Sequence, residues 1–372
     1  MSILLTHTTA LEAMRSRRLR WRLEKGERCD GNVPERVPDN AEIERLIDAV
    51  PELARASKPL HLLVSREAPR MRRSLVHTHA SPDLPPGSAF ELAPGVRCIS
   101  PEHLPVAMAP RLTDLELIYL LSELLGIYAI DPTSEKGMFQ RKSPLTTPER
   151  ILEHLGALGP EHGTQRVRRA LRHACVRSGS PRETKLSLRL GLRPSLGGYG
   201  LEVLSMNEPL EVRRIHDRME SGVRKPDILL RGRADEAGGA PRIAAVEYDG
   251  RDHATEQAHA RDAARSTELT AIGLSEHVVT KVQYRDLDYM DGLAEILRQE
   301  LGLPRHRVTR KVTEWRRARR AALYEELEHI DGVRWDGRAR ERAHGEKDSP
   351  AAAPKTSDGG WDVVPVEAYG LG

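Results

Sequence analysis

The sequence predicts an α/β protein, with the α/β texture clearest in its C-terminal half. Three observations lead there. "RIAAVEYDG" (242–250) is apolar until its end, as in a central strand buried on both faces. A second run of this kind starts at Asp227 in "KPDILL", and "HVVTKVQYRDL" alternates at Val278, Thr280, Val282 and Tyr284 as a strand does. Segments with helical spacing separate and flank these runs, at about 181–190, at 254–272 stopping on Gly273, and in "MDGLAEILRQELG".

The remaining elements follow in chain order. Residues 8–26 read as a short Arg-rich helix, "GNVPERVPDN" (31–40) interrupts the chain, and "AEIERLIDAVPELARA" reads as a short helix. "LHLLV", "SLVHTHA", "SAFELA" and "VRCIS" are short apolar runs set between Pro, Gly, Ser and Asp, which predicts a small β-rich region from Pro59 to Ala109. "TDLELIYLLSELLGIYAI" (113–130) predicts a largely buried helix that Thr113 or Asp114 could cap. After linker-like residues 131–150, "TTPERILEHLGALG" begins with a strong helix-start signal, and 164–179 reads as a helix with Val167, Leu171, Ala174 and Cys175 on one side. "LGGYG" (196–200) is a turn, with strand candidates at 201–204 and 210–214. Residues 309–330 read as a helix with a basic first half, and the Ala-, Pro-, Gly- and Lys-rich end reads as lacking fixed structure. The expected units are a short helical head (1–57), a small mixed β/α region (58–150), a helical connector (151–179), the α/β unit (180–302), a basic helix (303–332) and a tail (333–372).

The bulk composition narrows the classes. A chain of 372 residues has ample length for a sizeable core, and with 4 % aromatics that core must be mostly Leu, Ile, Val and Ala. The 58 Lys+Arg against 55 Asp+Glu nearly cancel, so partner information lies in local clusters of charge. Three widely spaced cysteines, Cys29, Cys98 and Cys175, with no CxxC pair, argue against a disulfide framework or a zinc ribbon. No signal-like or membrane-spanning run is seen, so the expectation is a soluble, cytoplasmic protein with no membrane partner.

The chemistry concentrates in the carboxylates that end the apolar runs. Glu247 and Asp249 lie on the same strand face because side chains alternate with period two, and Asp227 heads a neighbouring strand candidate. Each has an ordinary explanation alone: Asp227 starts a strand after Pro226, and Asp249-Gly250 makes a turn. Together they would repel one another at a strand mouth unless a cation neutralised them, and an all-oxygen donor set suits Mg²⁺ or Mn²⁺. Such ions support phosphodiester hydrolysis by generating hydroxide and stabilising the leaving oxygen.

The pattern "PDILL…AAVEYDGRDH…Q…RD..R…L…G" resembles the PD-(D/E)XK nuclease superfamily, in its branch related to very-short-patch-repair endonucleases, over roughly residues 180–301. The resemblance implies a restriction-endonuclease-like αβββαβ core, here preceded by a mixed α+β N-terminal region and followed by a basic helix and a disordered tail. It implies that Asp227 and Glu247 hold the metal, that Glu183 in "SPRETKLSLRL" is the first-helix acid, and that His253, Gln257, Asp262 and Arg265 match the polar positions that follow. Asp249 stands where the family motif has lysine; related members also look like E-x-D-G, and Gln257, Arg261 or Arg265, stacked four apart on one helix face, could supply the polar or cationic group. Glu183 has a rival role, since Ser180-Pro181-Arg182-Glu183 fits a capping box in which Glu183 bonds back to the Ser180 amide. His253 could position or activate water, or bond the turn after Gly250.

Two basic stretches flank this unit. Residues 166–193, with Arg168, Arg169 and Arg172, and residues 305–320, with Arg316 and Arg317, could neutralise phosphates or serve as solvated surface. Few aromatics interleave them, so base stacking on single strands is not indicated. His77-Thr78-His79 could chelate a metal from one strand face, but with no third ligand in view two surface-strand histidines are the plainer reading. "GGYG" lacks the Lys-Ser/Thr of a phosphate loop. The N-terminal half loosely resembles abortive-infection antitoxin-like proteins in its layout and in "PGVRCISPEHLPVAMA", which implies target selection or regulation by that half.

The leading expectation is a divalent-metal-dependent endonuclease acting on nucleic acid, DNA in preference, in defence or repair, with a protein partner or homodimer compatible with it. The alternative is a catalytically inactive nuclease fold acting as a nucleic-acid-binding regulator or antitoxin-like protein. A third is an interaction protein whose carboxylates are structural.

Overall fold

The structure is a computed structural model and describes residues 2–19, 28–160, 163–213, 221–234, 239–250, 269, 274–304, 308–335 and 337–344. The chain opens with β1 (Ile3–Leu5) and α1 (His7–Arg15), then β2 (Arg28–Cys29), α2 (Asn40–Asp48), α3 (Pro51–Ala54), β3 (Leu60–Val64), β4 (Val76–Ala80), β5 (Ala89–Ala93) and β6 (Val96–Ile99). These strands form one six-stranded sheet in the order β2-β5-β6-β1-β3-β4. The first strand is its centre, parallel to β6 and antiparallel to β3. A boundary near residue 57 is therefore not present: Ile3, Leu4 and Leu5 are fully apolar and buried, and they pair with both halves of the β-rich region. The expected helix over 8–26 is α1, which ends at Arg15; residues 20–27 lie outside the described residues.

After α4 (Leu104–Met108) comes α5 (Asp114–Leu124), then a hairpin of β7 (Tyr128–Ile130) and β8 (Met138–Gln140). α5 begins as predicted. The Thr113 hydroxyl accepts from Glu116 N while the Glu116 carboxylate accepts from Thr113 N, a reciprocal capping box. The helix is apolar almost all round, and Leu117, Leu120, Leu121 and Leu124 are wholly buried. It packs against α4, β7 and, further along the chain, α7 (Thr164–Leu171) and α8 (Pro181–Gly191). One contiguous apolar core thus runs from the first sheet through α5 into the C-terminal half.

α6 (Pro148–Leu158) starts with Thr147 as cap and Pro148 in the first turn, as the sequence predicts. α7 stops at Leu171, eight residues before its expected end. The chain there leaves the helix to bond α5 instead: Cys175 N donates to Ser122 Oγ at 2.9 Å and Arg177 N to Leu125 O at 2.9 Å, with Arg177 at φ +62°.

α8 follows, then β9 (Glu202–Ser205), a hairpin of β10 (Leu210–Arg213) and β11 (Ser221–Arg224), β12 (Ile228–Ala234), β13 (Pro241–Asp249), β14 (Ser275–Thr280), α9 (Lys281–Arg285) and α10 (Leu287–Glu300). The second sheet has the order β14-β13-β12-β9, with β12 antiparallel to β9 and β13, and β14 parallel to β13. The turn in "LGGYG" depends on a bare backbone: a Cβ on Gly198 would sit 1.9 Å from Leu192 O. The strand read through "HVVTKVQYRDL" ends at Thr280. Thr280 accepts from Gln283 N while Gln283 bonds back to Thr280 N, and this capping box turns the alternating pattern into a helix. Of the long helix expected over 254–272, only Leu269 is described; it is helical and buried.

α11 (Arg310–His329) lies against α8 and the 3₁₀ turn at Pro194–Leu196. Part of the tail expected to lack fixed structure from residue 333 is ordered. Trp335 packs on the core, α12 spans Gly337–His344, and Arg338 Nε donates to Leu112 O at 2.6 Å. Residues 345–372 lie outside the described residues. The protein is thus a mixed α/β structure, and among the described residues no helix is long and apolar enough to cross a membrane.

Candidate functional site

The two central strands of the second sheet carry opposite side chains to two different cores. Ile228, Leu230, Ala244 and Val246 face the main core, where α8 lies. Leu229 and Ala245 face the other way, onto Leu269 and Leu274. Period-two alternation therefore puts Asp227, Glu247 and Asp249 on this second face, at one end of the sheet. Ile228 pairs with Val246, so Asp227 and Glu247 meet at the next step beyond the ladder.

Each of these two carboxylates is held by the other strand. Asp227 N donates to Glu247 Oε1 at 3.2 Å, and Tyr248 N donates to Asp227 Oδ2 at 2.8 Å. The exchange fixes both acids side by side where backbone pairing gives out, and Glu247 is buried.

Glu183 completes the group from the first turn of α8. Ser180 caps that helix, its hydroxyl accepting from Glu183 N at 3.1 Å. The return half of the expected capping box is replaced. Glu183 Oε2 accepts from Gly179 N at 2.7 Å and from Asn207 Nδ2 at 2.8 Å. Burial, and then the charge of Asp227, push the Glu183 carboxyl up to about 7 against these stabilising hydrogen bonds. Asn207 is the residue that sequence reasoning missed. It sits at φ +53°, its amide N donates to Pro226 O at 2.9 Å, and its side chain holds Glu183. It therefore ties the helix acid to the Pro226-Asp227 corner. Asparagine at a left-handed position is a legible turn signal, but its side-chain target is not.

The structure brings Asp227 and Glu247 together, sets Glu183 within electrostatic reach of Asp227, and leaves Asp249 partly exposed at the end of β13, in register with Thr280. His253, Gln257, Arg261, Asp262 and Arg265 lie outside the described residues. Two cations of α8 are directed to α11. Arg182 Nη1 lies 2.6 Å and Lys185 Nζ 3.7 Å from Glu328 Oε1 of α11. Lys185 is about 200° around the helix from Glu183, so it faces away from the carboxylates.

The two basic stretches differ. Arg169 and Arg172 on and after α7 are exposed, with Arg168 half-buried. In α11, Arg317 pairs with Asp288 at 2.8 Å and Asp291 at 3.1 Å, and Arg320 also reaches Asp291. Arg316 is half-buried. Two cations of the second stretch, Arg317 and Arg320, are thus paired with acids of α10.

In comparisons with known proteins, the chain matches no family model, and no curated protein or solved structure shows significant similarity to it.

Proposed function

We propose that this chain is a divalent-metal-dependent nuclease that hydrolyses phosphodiester bonds, with DNA as its substrate. The observation that carries the reading is the cross-pinned Asp227–Glu247 pair with Glu183 beside it. Asp227 and Glu247 at one end of the sheet, with Glu183 of α8 in electrostatic reach of Asp227, repel one another, and a hard cation relieves that repulsion. The donor set is all oxygen, which fits Mg²⁺ or Mn²⁺ and not a thiophilic ion. The order of α8, β9, β12, β13 and β14, with β14 parallel to β13, is also what a restriction-endonuclease-like core requires, and the sequence resemblance points the same way.

In this reading Asp227 and Glu247 hold the ion, and Glu183 contributes a third oxygen or accepts a proton from water. When bound, the ion would lower the pKa of water and offset charge on the leaving oxygen. The backbone amides of Asp227 and Tyr248 keep the two acids in place, and Asn207 aims Glu183 at the same corner. Arg169 and Arg172 offer exposed charge for the phosphate backbone.

One observation favours a second reading. Position 249 adds a carboxylate where the nuclease motif places a cation, and Lys185 and Arg182 are committed to Glu328. A fold of this kind without cleavage would be a nucleic-acid-binding regulator. The separating experiment incubates Asp227→Ala and Glu247→Ala variants with plasmid, single-stranded DNA and RNA in Mg²⁺ or Mn²⁺, and measures binding in parallel. The nuclease reading expects cleavage lost and binding kept. Salt-sensitive binding with no cleavage by the wild type in either metal supports the regulator, and unchanged cleavage in both variants contradicts the assigned site.

A further inference from the structure

Histidines of the first sheet and of α1 form a group drawn from three separate segments. His61 on β3 lies in register with His77 on the parallel strand β4, and His79 stands one step further along the same face of β4. His7, at the start of α1, closes the group: its ring stacks on His79 with centroids 3.6 Å apart and lies 5.7 Å from that of His61. Ligand nitrogens of His7, His61 and His79 all fall within 4.8 Å of one another. The sequence reading of His77 and His79 lacked a third donor because His7 and His61 are remote in the chain.

The group is built, not incidental to a surface. The α1 entry is stitched to β3 at the histidine itself: Thr6 N donates to His61 O at 2.9 Å, and His61 N donates to Thr9 Oγ1 at 2.9 Å. His7 is held at φ +50°, a left-handed backbone that costs a non-glycine residue on the order of 1–3 kcal/mol and tends to mark functional positions. Thr6 Oγ1 lies 3.1 Å from His7 Nδ1, which leaves Nε2 as the free donor and fixes the ring as an outer-sphere partner does. His61 Nδ1 and His79 Nε2 point at each other across 2.8 Å. Two neutral imidazoles in that arrangement share one proton, and a metal ion can take that proton's place.

We propose that His7, His61 and His79 form a binding site for a late first-row transition ion of the Zn²⁺ class. Three imidazole nitrogens suit such an ion and not Mg²⁺ or Ca²⁺. Metal–nitrogen bonds of about 2.0–2.1 Å in tetrahedral geometry set the nitrogens about 3.3 Å apart, so side-chain rotation must close the widest separation, at most 4.8 Å, by about 1.5 Å and open the His61–His79 pair from 2.8 Å by about 0.5 Å. The Arg111 cation lies within electrostatic reach of His7 and His61. His77 is engaged by Arg72, whose Nε donates to His77 Nε2 at 3.3 Å. The nearby charges, Arg72 and Arg111, are cationic, so an anion such as hydroxide would suit the fourth position. The ion would fasten α1 to the β3–β4 edge.

The test uses the full chain, stripped with EDTA, and titrates it with Co²⁺ and Zn²⁺. Tetrahedral Co²⁺ absorption in the visible and one tight Zn²⁺ site are expected, and both persist in the Asp227→Ala/Glu247→Ala double variant, which separates this site from the carboxylates. His61→Ala and His79→Gln should each weaken Zn²⁺ binding by more than about 100-fold, beyond the loss an outer-sphere change causes, and Thr6→Val by about 10-fold. Circular dichroism of each variant verifies folding, and His79→Gln keeps the side-chain size if His61→Ala does not fold. No Co²⁺ absorption in the wild type, or Zn²⁺ affinity unchanged in folded His79→Gln, overturns the proposal. So does stabilisation by inorganic phosphate but not by Zn²⁺, which would make the cluster an anion pocket with Arg72 and Arg111.

Discussion

Replacing Glu183 by Gln should make the protein more stable, and more so as the pH rises. The carboxyl is pushed from its ordinary 4.5 up to about 7 by burial and by Asp227. The folded state therefore favours the protonated form. Below pH 4.5 the group is neutral in both states and costs nothing. Between 4.5 and about 7 the unfolded chain releases the proton first, and stability falls; above about 7 the loss is complete. That interval, at 1.36 kcal/mol for each tenfold change, corresponds to about 3 kcal/mol as an upper bound. Gln removes the charge but keeps the contacts. Gly179 N and Asn207 Nδ2 both donate to the single oxygen Oε2, which a Gln carbonyl can replace. Urea unfolding of both proteins in EDTA at pH 5, 6, 7 and 8 gives the difference at constant slope. The variant should exceed wild type by less than about 1 kcal/mol at pH 5 and by up to about 3 kcal/mol at pH 8. Mg²⁺ should shrink or reverse that advantage, because a bound cation stabilises the ionised acid. A difference that is flat or falling with pH would refute the placement of Glu183 beside Asp227.

Other parts of the structure give four further outcomes. Arg15 and Glu123 form a buried two-pronged pair, with Nε to Oε1 at 2.8 Å and Nη2 to Oε2 at 2.5 Å, and Glu123 Oε1 also accepts from Ile130 N. Glu123→Ala should cost about 3–5 kcal/mol in chemical denaturation, because it strands a buried guanidinium. Leu230→Ala, at a fully buried strand position, should cost about 2–5 kcal/mol with no change in metal affinity. If nucleic acid runs along α7, Arg169→Ala with Arg172→Ala should flatten the salt dependence of binding by about one unit of slope per residue. Arg317→Ala, whose partners are Asp288 and Asp291, should leave that slope unchanged.

Local signals in the sequence carried the second sheet well. β12 and β13 lie within a few residues of the apolar runs that predicted them, and the Thr113, Thr147 and Ser180 caps start their helices as read. The meeting of Asp227 with Glu247 was legible because both end apolar runs, and only the register was needed to join them. What the sequence hid is non-local. β1 has three residues, too few to show a period, yet it is the centre of a sheet because strands from two later segments flank it. Val282 and Tyr284 continue the alternation of β14, but a Thr-x-x-Gln cap overrides it. Asn207 and the histidine cluster depend on contacts between residues 18 to 72 positions apart, which spacing alone does not reveal.

The most direct measurement is nicking of plasmid DNA by the wild type and by Asp227→Ala/Glu247→Ala, each with Mn²⁺, with Mg²⁺ and with EDTA. Cleavage by the wild type that needs the metal and vanishes in the double variant is the predicted result. Metal-dependent cleavage that survives in the double variant would contradict the assignment of the catalytic ion to Asp227 and Glu247.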